Sequence, residues 1–215
     1  GTLTLNQMTA VAIWVGGRDV AITGGGYEPT GDFILEGSRM EPGEDPDLMR
    51  LLRVSVLCND AMLNRSEDGW DILGDPTEGA LLAAGAKAGL FKSRLEELQP
   101  RLGEIPFESE KQYMATLHAD DGQRTVYVKG SVERLLTMCA SIRFDGIERP
   151  LDDTARQAVM EANRTMAGQA LRVLALAAAP YPVELGNLDQ SRIAGRLVLL
   201  CPCGMIAPHL EVVKR

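Results

Sequence analysis

The chain has 215 residues, 45% of them apolar and 24% charged, with a net charge of −8. That is globular composition, and a chain of this length buries roughly 70% of its unfolded surface without staples. The negative charge argues against a nucleic-acid-binding face, which needs a basic stripe, but leaves room for an anionic ligand held by two or three local cations.

In chain order, residues 2–15 (TLTLNQMTAVAIWV) are β-branched and partly alternating, which reads as one or two strands. Residues 16–46 are rich in Gly, Pro and Asp and read as short strands joined by turns. Residues 45–63 follow helical spacing, with Asp45 or Asp47 near the cap. Residues 64–70 (NRSEDGW) read as a turn. A second helix over 74–90 opens on Asp75-Pro76, since Pro is favoured at the first helical position, and Glu78 falls in its first turn. EIPF, YMATLHA and RTVYVKG read as strands, the last two joined by the hairpin pair Asp121-Gly122. A short helix is expected over 131–139, then a strand and turn in IRFDGIERP. The clearest helix spans 152–169: Asp152, Asp153 or Thr154 can cap it, and Ala155, Val159, Ala162 and Met166 share one face. ALRVLALAAAP and RIAGRLVLLCPCGMIA read as buried strands, each too short to span a bilayer. The expectation is a single α+β domain: a twisted, antiparallel-rich sheet with helices on both faces.

Four stretches carry possible chemistry. In VKGSVE, Lys129 ends an apolar strand and can reach a phosphate or lay its stem on a base, while Gly130 lets a ligand approach the backbone. In PFESEKQYM, Phe107 precedes a charged loop, where an aromatic ring can stack a base. In GDPTEGALL, Glu78 can accept from a base amino group. In LRVLALA, Arg172 stands at the mouth of an apolar strand, where it can meet a carboxylate or a phosphate. Each has a plainer reading: a surface lysine before a turn, a core phenylalanine, helix capping, a structural ion pair. The four cysteines, Cys58, Cys139, Cys201 and Cys203, form no disulfide framework and fit a reducing compartment. Cys201-Pro202-Cys203 invites a soft metal, but His118 and His209 show no ligand spacing, so no metal is expected.

The order of the motifs says more than any one of them. GTLTLNQMT, LCNDA, GDPTEGALL, PFESEKQYM, VKGSVE, RVLALA and GMIAP in succession resemble the nucleotide-binding (N) domain of P-type cation-transporting ATPases, type II-like, over nearly the whole chain. The resemblance implies an insertion in a haloacid dehalogenase-like phosphorylation domain, with the phosphorylated aspartate just before Gly1 and so no catalytic residue within the chain. It implies an outgoing hinge over 1–8 and a returning hinge over 203–215. By position in these motifs, Phe107 stacks on adenine, Lys129 with Gly130 lines the ATP pocket, Glu78 contacts the adenine side, and Arg172 reaches the phosphates or ribose. The ligand implied is ATP, as Mg-ATP in the parent, and the partners are the phosphorylation and actuator domains of that chain. The setting implied is a cytoplasmic domain of an integral membrane protein, touching neither nucleic acid nor membrane.

Three departures stand out. Gln112 occupies a position where many members carry lysine, with Lys111 one residue earlier, and the resemblance implies both among the ATP-binding residues; on a strand, one residue reverses the face. Ser131 and Val132 stand where Ala and Pro are usual. Ala207, His209 and Leu210 replace the charged returning hinge. These departures also fit another reading, a degenerate N domain acting as a regulatory or protein-interaction module.

Overall fold

A computed structural model of the chain describes residues 7–206. The expected hinge residues 1–6 and 207–215, with Ala207, His209 and Leu210, lie outside the described residues. The first strands are β1 (Thr9–Val15), β2 (Arg18–Ile22), β3 (Phe33–Leu35) and β4 (Ser38–Met40). Then come α1 (Pro46–Leu57), β5 (Met62–Ser66), β6 (Gly69–Leu73), α2 (Pro76–Lys87) and α3 (Lys92–Leu98). The middle holds β7 (Arg101–Glu108), β8 (Tyr113–Asp120), β9 (Gln123–Gly130), α4 (Val132–Met138), β10 (Cys139–Phe144) and β11 (Ile147–Pro150). The chain continues with α5 (Asp153–Gly168), β12 (Arg172–Pro180), α6 (Gln190–Ile193) and β13 (Leu197–Ile206).

Local chemistry sets most of these boundaries. Asp121 and Gly122 both take positive φ, 45° and 78°, the backbone of a tight two-residue hairpin between β8 and β9. Asp45 caps α1 through the amides of Asp47 and Leu48, Asp75 caps α2 through those of Thr77 and Glu78, and Asp152 caps α5 through that of Ala155. Asp47 is instead spent on Arg143 and the Gly146 amide.

Two expectations need correction, and two helices carried no expectation at all. The first helix stops at Leu57 rather than running to 63, because Asn59 turns its amide back on the Ser55 and Glu78 carbonyls. Residues 62–73 form the β5–β6 hairpin, of which the expected turn is only the tip. Its side chains are largely exposed, so no alternation marked it. Helices α3 and α6 bury only Leu95 and Ile193, too little apolar periodicity to read.

The main sheet runs β4-β3-β2-β1-β13-β12-β9-β8-β7, with β10 also on β13 and β11 on β10. Every pairing is antiparallel except β10 with β13. Two cores lie against it. One packs Leu48, Leu51, Leu52 of α1 and Leu81 of α2 on Tyr127, Leu176, Ala178, Cys201 and Cys203. The other packs Leu135 of α4 and Val159 and Met166 of α5 on Val128, Ala175, Ala177, Leu197 and Leu199. Helices therefore cover both faces, as expected.

A bulge in β13 decides where its cysteines point. Leu176 pairs with Cys201 but Ala177 pairs with Leu199, leaving Leu200 extra. Strand side chains alternate with period two, so Leu199 and Cys201 would share a face without that residue. With it, Leu197 and Leu199 enter the second core while Cys201 and Cys203 enter the first. Pro202 pairs with Ala175 of β12 on one side of β13, and on the other side it lies between the stretch that pairs with β10 (197–199) and the stretch that pairs with β1 (203–206), where the ladder is already interrupted.

Candidate functional site

Across the sheet, Met114 of β8 pairs with Lys129 of β9, which pairs with Leu176 of β12. Lys129 lies two residues beyond Tyr127 and so faces the α1–α2 core. An ammonium there needs a partner. The first turn of α2 supplies one: Lys129 Nζ donates to Glu78 Oε1 at 2.6 Å, with the two side chains only 7% and 15% exposed. The Asp60 amide donates to Glu78 Oε2 at 3.3 Å, and Asn59 Nδ2 to the Glu78 carbonyl at 2.9 Å.

Phe107 reaches the same place by a different device. Ile105 pairs with Ala115 and Glu108 with Tyr113, so Pro106 and Phe107 together face Met114 alone. This bulge re-aims the side chain, and Phe107 is left 59% exposed. Arg172, the first residue of β12, is exposed and has no hydrogen-bond or ion-pair partner among the described residues.

These residues line one cavity of about 260 Å³: Glu78, Phe107, Lys129 and Arg172, joined by Asp60, Asp75, Thr77 and Met114. Four residues singled out from separate stretches of sequence thus come together from α2, β7, β9 and β12. The carboxylates are largely committed. Asp75 Oδ1 caps α2, Glu78 holds Lys129, and Asp60 Oδ1 accepts from Arg101 at 2.7 Å. Burial works against the Arg101 charge, but Asp60 and Glu104 outweigh it and hold its pKa above the ordinary value. The cation left without a partner is Arg172, at the cavity edge.

The other named residues fall elsewhere. Lys111 pairs with Glu108 at 2.7 Å, and Gln112 accepts from the Ser131 hydroxyl at 3.3 Å. Neither lines the cavity. Both lie in the turn between β7 and β8, with Gln112 at φ 59°, so the expected strand parity does not govern them. Gly130 is buried by packing rather than opened to a ligand: a Cβ there would sit 2.5 Å from the Gln112 carbonyl oxygen and 2.7 Å from Tyr113 Cβ. Asp60 and Met114 sit inside the LCNDA and PFESEKQYM motifs without having been singled out. Arg101 carried no signal at all.

The metal-like motif is accounted for by burial. Cys201 and Cys203 are free thiols in the core; burial pushes Cys203 up to about 12 and Cys201 well above its ordinary range. His118 is equally internal, its Nδ1 against the Gln99 carbonyl and its Nε2 against the Thr116 hydroxyl, each at 2.9 Å. Burial lowers its pKa.

A family model described as P-type ATPase, cytoplasmic domain N, matches residues 47–210. The chain belongs to that family. It is similar to the cation-transporting ATPase pma1 of Synechocystis sp., 45% identical over 97% of this chain and 23% of that protein. It is similar to a calcium-transporting ATPase of Bacillus subtilis, 34% identical over 100% of this chain and 24% of that protein. A bovine relative, calcium-transporting ATPase type 2C member 1, is 34% identical over 91% of this chain and 20% of that protein. This N domain thus spans about a quarter of the length of the curated relatives it matches. Its sheet with helices on both faces is the N-domain fold, and no helix among the described residues is long and apolar enough to cross a membrane.

Proposed function

We propose that this N domain binds ATP in the cavity lined by Phe107, Lys129, Glu78 and Arg172, and presents it to an aspartate on a neighbouring phosphorylation domain, driving cation transport by the parent ATPase. The observation that carries this reading is the convergence of those four side chains on one cavity. Phe107 offers an exposed ring for stacking, worth about 1–3 kcal/mol per base on the nucleic-acid scale. Lys129 and Glu78 form a polar floor. Arg172, free of a carboxylate, suits a phosphate or ribose oxygen.

The volume bears on the mode of binding. About 260 Å³ is just under the range of pockets for drug-sized ligands, about 300–1,000 Å³. That suits a base and sugar, with the triphosphate projecting outward past Arg172. Phosphoryl transfer needs positioning and charge neutralisation by Mg²⁺ at the γ-phosphate, which on this reading is completed by the phosphorylation domain after hinge closure. Thr9 pairs with Ile206, an arrangement suited to two connections leading to one neighbouring domain. The domain alone holds ATP and does not turn it over. The expected Kd is ~0.1–1 mM, roughly −4 to −5.5 kcal/mol.

The test is an amide NMR titration of the domain with ATP. Saturable shifts at Phe107, Lys129 and Glu78, weakened in Phe107→Ala, support the reading. No shifts at ~10 mM ATP, far above the expected Kd, would turn it toward a degenerate domain serving regulatory or protein contacts.

A further inference from the structure

Glu78 is the acidic residue that resemblance places beside the base, yet it is not the most available acceptor in the cavity. One of its oxygens holds Lys129 and the other the Asp60 amide, and the side chain is 15% exposed. Asp60 differs. The hydrogen bond that its backbone N–H donates to Glu78 Oε2 ties its backbone to the polar floor, and its side chain is 59% exposed at the cavity edge. Its Oδ1 is held by Arg101 at 2.7 Å, and its Oδ2 has no partner among the described residues. Arg101 in turn donates to the Asn59 carbonyl at 2.9 Å, and Lys92 Nζ donates to the same oxygen at 2.6 Å and to the Ala61 carbonyl at 2.9 Å. Two cations from α3 and β7 thus immobilise the segment that carries Asp60, and an immobilised carboxylate loses less freedom on binding.

We propose that Asp60 is a further specificity-determining residue of the nucleotide site, its free carboxylate oxygen accepting from the 6-amino group of adenine. The proposal rests on the ATP-binding reading above. A carboxylate only accepts, so it favours a base edge that donates and disfavours a 6-oxo purine. Asp75, the other carboxylate at the rim, already accepts the Thr77 and Glu78 amides as the α2 cap, and no cation among the described residues holds it as Arg101 holds Asp60.

The test compares ATP with purine riboside triphosphate, which lacks only the 6-amino group, and with ITP, which carries a 6-oxo group. Affinities are measured by NMR titration of the wild-type domain, Asp60→Asn, Asp60→Ala and Asp75→Asn. Asp60→Asn retains the backbone amide that Glu78 uses, and Asp75→Asn retains a good helix cap. The wild type is expected to favour ATP over purine riboside triphosphate by about tenfold, as for a hydrogen bond to a charged group. That ratio should fall below about twofold in both Asp60 variants and stay unchanged in Asp75→Asn. ITP should gain relative to ATP in Asp60→Asn, whose amide can donate to the 6-oxo group. An undiminished ATP preference in both Asp60 variants, with spectra that otherwise match the wild type, overturns the assignment while leaving ATP binding intact. If the wild type binds none of the three nucleotides, the ATP-binding reading fails and takes this one with it.

Discussion

Lys129 Nζ and Glu78 Oε1 meet at 2.6 Å, joining the end of β9 to the first turn of α2 beneath the candidate site. Both side chains are nearly buried, so removing one leaves the other charge without compensation. Lys129→Ala should therefore lower stability by about 3–5 kcal/mol, besides any effect on nucleotide. Replacing both ends with neutral side chains, Glu78→Gln with Lys129→Met, should restore most of that loss. Urea unfolding of the single and double variants checks this; a double variant no more stable than the single one would contradict it. The coupling also makes Lys129→Ala a poor probe of binding on its own.

Phe107 offers a cleaner probe, because stability and binding part company there. Its ring is largely exposed, so Phe107→Ala should shift stability by no more than about 0.5 kcal/mol. Loss of a stacking platform should weaken ATP binding about tenfold, within the range for one base on an aromatic ring. A urea midpoint and an ATP titration on the same variant decide it. A large stability loss would mark Phe107 as core; an unchanged Kd would remove it from the site.

Gly130 makes the opposite case. Its Cβ position is taken by the Gln112 carbonyl, Tyr113 Cβ and Leu135 Cδ1, all within 2.8 Å. Gly130→Ala should cost about 1–3 kcal/mol by overpacking. Gly25→Ala, where a Cβ meets nothing within 4 Å among the described residues, should be nearly neutral. Thermal melts of the two variants make the comparison, and equal melting temperatures would show that the β9–α4 junction yields more readily than its contacts indicate.

What the sequence made legible follows from how local each cause is. Asp45, Asp75 and Asp152 cap helices whose starts depend on the next three residues, and Asp121-Gly122 makes its hairpin alone. The convergence of Glu78, Phe107, Lys129 and Arg172 was legible only through motif order, since the ion pair that joins Lys129 to Glu78 spans 51 residues. Hairpin β5–β6 and helix α3 bury too little to leave a periodic trace. Arg101 stayed hidden because its role lies in reaching the backbone beyond α1, 42 residues earlier. Parity also misled: strand alternation was applied to Lys111 and Gln112, which lie in a turn, and it missed the Leu200 bulge that turns Cys201 and Cys203 into one core.

Those cysteines give a pH prediction with a definite sign. Burial disfavours the thiolate, pushing Cys203 and Cys139 from 9.0 to about 12 and Cys201 well above 9.0. The folded chain then keeps protons that the unfolded chain releases. The stability linked to Cys139 and Cys203 is intact below pH 9 and lost as pH rises through about 12. At pH 10 each of these two thiols should account for about 1 kcal/mol of that loss. Cys203→Ala begins less stable, because it opens a cavity, but its decline between pH 8 and pH 10 should be shallower by about 1 kcal/mol. Urea unfolding at the two pH values measures both slopes, and equal slopes would mean the Cys203 thiol titrates as freely folded as unfolded. The same protonation predicts that Cd²⁺ added to the folded domain at pH 7 produces no thiolate-to-metal absorbance, whereas the unfolded chain, its thiols released from burial, develops it.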